Sequence, residues 1–378
     1  MFPRSLTFQN DKSFFLFGPR GVGKTEWLRR TFPGDLYFDL LEARIYSQLL
    51  ADPTRLGKRI PQGYPGWVIL DEVQRIPELL NEVHRLIETR KLRFIMTGSS
   101  ARALRRKGVN LLAGRALTRF MHPLTIEELS ESFSLKHSLR FGSLPCVYTE
   151  CNPAAYLASY VATYLREEVQ QEGLTRNLAA FSRFLEVASF SQSEVLTMAE
   201  VARESNISVK VIQDYFVILE DLLLAVRLPV FRKKAKRRLI AHPKFLFFDS
   251  GVFNSIRPKG PLDHPDLAPG ASVETLFFQQ VRALNDYHNL EYSIFYWRTQ
   301  AKEEVDFVLY GPRGIHAFEL KHADRVRGED TTSLKLFLHD YPSAKCHLLY
   351  LGNEEYHEDG VSVIPLETAL RRFVSIVS

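Results

Sequence analysis

Two short stretches, far apart in the chain, combine acids and lysines in patterns suited to phosphate chemistry. The first is "FFLFGPRGVGKTEWLRRTF", an apolar run at residues 14–17, a glycine-rich turn and then a helical pattern. Gly18, Gly23, Lys24 and Thr25 fit the spacing G-x-x-x-x-G-K-[ST], in the strand–turn–helix setting that this spacing requires. Glycines allow the backbone of Gly18, Pro19, Arg20, Gly21, Val22 and Gly23 to wrap an anion, with N–H groups and a helix N-terminus pointing at it. Lys24 would bridge the β- and γ-phosphates of a nucleotide, and Thr25 would place its hydroxyl on Mg²⁺. A second "GPRG" at residues 311–314 is followed by "IHAF" rather than GK[ST] and reads as a hairpin turn.

That hairpin is the second stretch, "EVDFVLYGPRGIHAFELKHA" at residues 304–323. Asp306 falls inside its first strand, and Glu319 and Lys321 share one face of its second, opposite Phe318 and Leu320. Carboxylates gathered in a half-dry site repel by several kcal/mol at an effective dielectric of about 20. Either the charges face water at a sheet edge, or a divalent cation sits among them. The apolar flanks Val305, Phe307, Phe318 and Leu320 favour the cation. Hard oxygen ligands from Glu274, Asp306 and Glu319, with the Leu320 carbonyl, suit Mg²⁺ or Mn²⁺. Lys321 would orient a nucleophilic water or stabilise a pentacovalent phosphate.

The nucleotide site needs acids on a neighbouring strand, and "GWVILDEVQRIP" supplies them. Residues 67–70 form a continuous apolar run, as a strand buried on both faces should, and Asp71 and Glu72 follow at its C-terminal end. Asp71 would hold Mg²⁺ through water, and Glu72 would polarise the attacking water. "LRFIMTGSSARALRR" is another buried strand, ending in a polar run. Thr97 and Ser99 are both candidates for sensing the γ-phosphate, while Ser99 or Ser100 could instead cap the next helix.

The series GPRGVGKT, WVILDE, FIMTGSS and "LLAGRALTRFMHPLTIEEL" resembles the AAA-superfamily ATPases of bacteria and archaea. The resemblance implies binding and hydrolysis of ATP with Mg²⁺ and a homo-oligomer formed through the ATPase module. It points to Arg115 of the Gly114-Arg115 pair as a phosphate-facing arginine, in its own subunit or a neighbour. A surface arginine packing the lid is the competing reading.

In the middle of the chain, residues 156–172 carry aromatics every four residues, a stripe read as lid core. "TMAEVARESNISVKVIQDYFVILEDLLL" has the grammar of a helix-turn-helix: a capping box from Thr197 and Glu200, a turn at Asn206-Ile207, and a second helix capped by Ser208. Val209, Ile212, Phe216 and Leu219 form its apolar stripe. Two strands follow, and between them "FRKKAKRRL" packs six basic side chains into seven positions, like the wing of a winged helix. Lys210, Gln213, Arg232, Lys233, Lys234, Arg237 and Arg238 would together make one electropositive surface for DNA. Subunit packing by the same motif is the competing reading.

The order helix with Glu274, strand with Asp306, turn, then strand with Glu319-x-Lys321 is similar to the core of the PD-(D/E)xK nuclease superfamily, with Val305 where the motif has proline. The similarity implies that Asp306 and Glu319 bind metal, that Lys321 assists attack and that Glu274 supports the metal.

The fold expected is therefore α/β: a P-loop AAA-type sheet (1–122) with a helical lid (123–177), a winged helix (178–256), a linker (257–270), and a restriction-endonuclease-like α/β domain (271–378). At 378 residues the chain suits two or three domains, and its net charge of +5 allows contact with nucleic acid without identifying it. No stretch approaches the ~18 apolar residues of a membrane helix. Three cysteines without a CxxC pair fit a reduced, cytoplasmic setting. Together these readings describe an ATP-dependent, DNA-acting enzyme that cuts with a metal, or alternatively a nucleotide-switched DNA-binding or scaffolding ATPase whose nuclease fold is inactive.

Overall fold

The computed structural model describes residues 2–7, 12–99, 112, 114–165, 169, 177–233, 239, 242–258 and 269–378. They fall into two compact units. One is Arg4–His122 with Asp221–Leu223; the other is Met1–Pro3, Pro123–Glu220 and Leu224–Ser378.

The smaller unit is built on β1 (Ser13–Phe17), β2 (Leu36–Asp39), β3 (Trp67–Asp71), β4 (Arg93–Gly98) and β5 (Ala116–Phe120), in the order β2-β3-β4-β1-β5. All four pairings are parallel. Every residue of β1 and β3 is buried, which is why both read as unbroken apolar runs. Phe15, Phe17, Val68, Leu70, Phe94 and Met96 from the sheet pack with Leu79, Leu80, Val83 and Leu86 of the helix Leu79–Arg90. Parallel strands share a C-terminal edge, so Gly18, Asp71 and Gly98 come to the same side. Because β4 lies between β1 and β3, Thr97 stands between the glycine turn and Asp71.

The larger unit holds two sheets. A two-stranded antiparallel ribbon pairs β6 (Ala225–Leu228) with β7 (Lys244–Phe247). A six-stranded mixed sheet contains β8 (Ser293–Arg298), β9 (Glu304–Gly311), β10 (Gly314–Lys321), β11 (Ala344–Tyr350), β12 (Tyr356–Glu358) and β13 (Val361–Pro365), in the order β12-β13-β11-β10-β9-β8. The hairpin read from the sequence is β9–β10, with Gly314 at φ +122°, a backbone conformation that favours glycine. Phe277 of the helix Pro269–Tyr287 packs on Phe307, Phe318 and Phe373. Phe337 of the helix Thr332–Asp340 meets Trp297 within a second cluster that includes Val305, Ala317 and Leu348. Each helix thus covers its own apolar set, and the strands between read as nearly continuous hydrophobic runs.

In the stretch read as a helix-turn-helix lie two helices, Met198–Ser205 and Val209–Asp221, with Asn206 left-handed between them (φ 54°). Two details differ from the sequence reading. Thr197 makes no side-chain cap; its carbonyl accepts Glu200 N instead (3.1 Å), so the capping box does not form. Val209 is 42% exposed, because it opens the helix ahead of the packed face, which is made by Ile212, Tyr215, Phe216, Ile218 and Leu219. The aromatic stripe lies on the helix Pro153–Ser159 and a π-helical turn over Tyr160–Leu165, and Tyr160 is core, as read.

What the sequence presents as separate segments shares one core here. Leu124, Ile126 and Phe133 cluster with Leu228 and Leu246 of the ribbon and with Phe277, Phe307 and Leu349. Buried amides tie the same segments together. Gln280 accepts from Ile126 N (2.8 Å) and donates to Leu124 O (3.0 Å). Gln192 accepts from Phe247 N (2.8 Å) and donates to Thr275 Oγ1 (2.5 Å). Beyond β6, Phe231 N donates to Tyr296 O (2.7 Å) and Tyr296 N to Pro229 O (3.1 Å), which docks the start of the basic run on β8.

Candidate nucleotide site and a buried carboxylate cluster

The turn between β1 and the helix Lys24–Thr31 bends through left-handed Gly21 (φ 85°) and Gly23 (φ 93°). Gly18 is required sterically: a Cβ there would lie 2.3 Å from the Met121 carbonyl oxygen. Lys24 is 6% exposed, and its ammonium donates to the carbonyls of Gly18 (2.6 Å) and Pro19 (3.1 Å). Arg20 is exposed on the turn, and Val22 is buried beneath it.

Asp71, 2% exposed, is the hub of this edge. Its Oδ2 accepts from Thr25 Oγ1 (2.8 Å) and from the Tyr37 hydroxyl, and its Oδ1 accepts from Thr97 Oγ1. Thr97 Oγ1 in turn accepts from Glu72 N (3.0 Å). Burial, and then the Asp71 carboxylate, hold the Tyr37 phenol far above its usual range and therefore protonated. Glu72 itself sits in the left-handed region (φ 63°, ψ 46°), an uncommon conformation for a non-glycine residue. Its carboxylate accepts from Gln74 Nε2, which also reaches Ser99 Oγ (3.2 Å). The structure thus separates two residues that the sequence leaves equivalent: Thr97 touches Asp71, and Ser99 touches Gln74. Tyr37 was not legible as a site residue, since only the pairing of β2 with β3 brings it there.

Residues 10–130 match the family model described as an AAA domain. This part of the chain is thus similar to an AAA domain. Arg115 does not join the glycine-rich turn of its own chain. Ala116 pairs with Ser13, so Arg115 precedes β5 at the edge of the sheet opposite Gly18, where it makes an exposed ion pair with Glu88. Residues 132–263 and 269–369 match two further models, each described as a domain of unknown function. Uncharacterized proteins of Mycobacterium bovis and Mycobacterium tuberculosis are each 27% identical over 367 residues, covering 94% of this chain and 80% of theirs. Among solved structures, the Aeropyrum pernix Orc1 protein in complex with DNA is 13% identical, covering 66% of this chain and 87% of its own, at a TM-score of 0.24. A Vibrio cholerae protein is 14% identical, covering 97% and 98%, at a TM-score of 0.25. Superpositions this loose carry no functional argument.

The second group of acids lies in the larger unit. The last β9–β10 rung is Phe307–Phe318; beyond it, Asp306 Oδ2 accepts from Leu320 N (2.9 Å). Lys321 Nζ lies 3.0 Å from Glu319 Oε1 and 4.0 Å from Asp330 Oδ1. Asp306, Glu319 and Lys321 therefore meet at one end of the hairpin, with Glu274 delivered by the helix Pro269–Tyr287.

Among these acids lies a residue that the sequence reading did not single out. Lys244, the first residue of β7, puts its ammonium 2.7 Å from Glu274 Oε2, 2.8 Å from Glu304 Oε1 and 3.2 Å from Asp306 Oδ1. The Glu274 contact is close but off the hydrogen-bond axis. Lys244 is 1% exposed. Among the described residues no group of three or more His, Cys, Asp or Glu side chains has the geometry to hold a metal ion. Asp306 accepts from Lys244 on one oxygen and from Leu320 N on the other, and the Lys244 ammonium stands where the sequence places a metal ion; with that positive charge among the acids, the residues as arranged do not fit the metal. Burial alone would lower the Lys244 ammonium, but Glu274, Asp306 and Glu304 outweigh it and hold the group well above its usual value. Burial, then Asp306, push Glu274 up to about 8 and hold Glu319 well above the ordinary carboxyl range. Glu319 Oε2 is buried without a hydrogen-bond partner.

Of the residues assigned to DNA, Lys210, Gln213, Arg232 and Lys233 are exposed, and Lys233 lies over the Tyr310 ring, 3.9 Å from its centroid. Lys234, Arg237 and Arg238 lie outside the described residues. No described helix is long and apolar enough to cross a membrane.

Proposed function

We propose that the protein binds and hydrolyses ATP in its AAA domain, and that this cycle switches its hold on DNA through the larger unit, whose nuclease-like fold grips without cutting. The observation that carries the reading is the convergence of Thr25, Thr97 and Tyr37 hydroxyls on Asp71, beside a glycine-rich turn whose Lys24 ammonium donates to the Gly18 and Pro19 carbonyls. Phosphate oxygens are anionic acceptors and outcompete those carbonyls for Lys24. Thr25 and Asp71, already hydrogen-bonded, would hold Mg²⁺, which when bound neutralises phosphate charge. Glu72 would polarise the attacking water, with Gln74 fixing its carboxylate. Thr97 links Asp71 to the Glu72 backbone, so a change at the γ-phosphate has a short path to both. Arg115 enters the scheme only from a neighbouring subunit, which an AAA oligomer would supply.

The exposed Lys210, Gln213, Arg232 and Lys233, continued in sequence by Lys234, Arg237 and Arg238, support the DNA assignment. Each phosphate they neutralise steepens the salt dependence by roughly 0.9 log unit per log unit of salt. Filter binding at several salt concentrations, with and without a non-hydrolysable ATP analogue, tests it. A DNA affinity that is undetectable at low salt in both nucleotide states would overturn the DNA half and leave the ATPase.

A second reading, ATP-controlled cleavage using Mg²⁺ or Mn²⁺, is favoured by the meeting of Asp306, Glu319 and Lys321. The ammonium of Lys244 weighs against it. Supercoiled plasmid incubated with Mg²⁺ or Mn²⁺, with and without ATP, decides between the readings. Nicking by the wild type but not by Lys321→Ala would establish the enzyme; equal traces from both would leave the grip.

A further inference from the structure

We infer that Lys244 is the resident cation of the Glu274–Glu304–Asp306 cluster, so that the ribbon strand β7, and not a metal ion, completes the C-terminal sheet's acidic site. The ammonium has three carboxyl groups within 2.7–3.2 Å: it hydrogen-bonds Glu304 and Asp306 and makes a close ion pair with Glu274. Nothing of that charge is presented to solvent, since the side chain is 1% exposed. A divalent ion at Asp306 would share its oxygens with Lys244 and the Leu320 N–H and would stand a few ångströms from a buried like charge. Lys244 also comes from a different part of the chain: it belongs to the segment 132–263, whereas the acids belong to the segment from 269 onward. The ion pairs therefore act as a plug-and-socket joint between those two segments. Gln192 continues the joint, bonding Phe247 N at the far end of β7 and Thr275 beside Glu274.

Two buried carboxyl oxygens at this site, Glu274 Oε2 and Glu319 Oε2, make no hydrogen bond. Removing the Lys244 ammonium should therefore leave Glu274, Glu304 and Asp306 without their cation and able to rearrange around Mn²⁺, which takes carboxylate oxygens. This inference is independent of the ATP and DNA readings, and its test uses the full chain without nucleotide and Mn²⁺ alone as the probe. Electron paramagnetic resonance counts bound Mn²⁺ while thermal unfolding is followed in parallel. Wild type and Asp306→Asn should bind equal amounts of Mn²⁺, because the cluster holds none. Lys244→Ala should unfold at lower temperature, bind one Mn²⁺ more than wild type and recover part of its loss when Mn²⁺ is added; Lys244→Arg, which keeps a cation, should gain no site. The extra ion should vanish in Lys244→Ala/Asp306→Asn. Mn²⁺ bound by the wild type and lost in Asp306→Asn would overturn the inference, and that comparison needs no Lys244 variant to fold. A Lys244→Ala protein that melts like the wild type would overturn it equally.

Discussion

Two buried lysines, Lys24 and Lys244, sit close to carboxylates, and the bonds they make divide their roles. Lys24 rests on the carbonyls of Gly18 and Pro19 while the nearby Asp71 is satisfied by hydroxyls. Lys244 is held by three carboxylates directly. A backbone carbonyl is a weaker acceptor for an ammonium than a phosphate oxygen, so bonds of the kind Lys24 makes can be exchanged for an anionic ligand. Ion pairs with buried carboxylates commit Lys244 to the fold. Both are buried lysines; carbonyl bonds at one and carboxylate pairs at the other set them apart.

This contrast can be broken at several points. The largest effect is expected at Glu72→Gln, which should lower the ATPase kcat by about 10²–10⁴-fold while nucleotide binding survives, measured by phosphate release beside a binding titration. Lys24→Ala should cost about 10²–10³-fold in kcat and weaken nucleotide binding as well, yet leave the melting temperature near that of the wild type. Lys244→Ala should do the reverse: it strands buried carboxylates and should cost about 3–5 kcal/mol in chemical denaturation. If Lys24→Ala proved as destabilising as Lys244→Ala, the distinction between a waiting and a committed lysine would fail. Lys321 is about one-third exposed and pairs with Glu319 and, at longer range, Asp330, so Lys321→Ala should cost about 1 kcal/mol or less.

A pH test concerns a buried histidine pair. His316 Nδ1 and His347 Nε2 lie 3.4 Å apart, and burial pushes His316 down to about 4 and His347 to about 3. Both remain neutral in the folded protein while the unfolded chain takes up protons below about pH 6.5. Their contribution is therefore present above that pH and is lost as pH falls below it, by about 1.4 kcal/mol per histidine per pH unit until the folded values are reached. Urea denaturation at pH 7 and pH 5.5 should show a larger drop for the wild type than for His316→Phe/His347→Phe; equal drops would refute the assignment.

The front site was legible because its information is local. Gly18, Lys24 and Thr25 lie within eight consecutive positions, and Asp71 and Glu72 follow a strand that announces itself by an unbroken apolar run. Thr97 was legible as a candidate and needed only the strand order to place it on Asp71. The rear site was half legible. The hairpin carried Asp306, Glu319 and Lys321, but Lys244 stands 62 residues before Asp306, and a lysine heading the apolar run "KFLFF" reads as an ordinary strand end. Glu304 was passed over for the same reason, as a flanking charge. The short strands Tyr356–Glu358 and Val361–Pro365 were also missed, because three and five residues carry too little periodicity to stand out. The capping box at Thr197 shows the opposite failure: a pattern present in the letters that the backbone does not use.

The joint at Lys244 has an evolutionary corollary. A recombination event that replaced the chain up to residue 258 with a foreign counterpart would deliver an unpartnered nest of acids to a strand carrying some other residue. One that replaced the chain from 269 onward would leave an ammonium entombed without counter-charge. Neither hybrid inherits a working interior, so the two segments should descend together, with Lys244 and its acids lost or kept as a set.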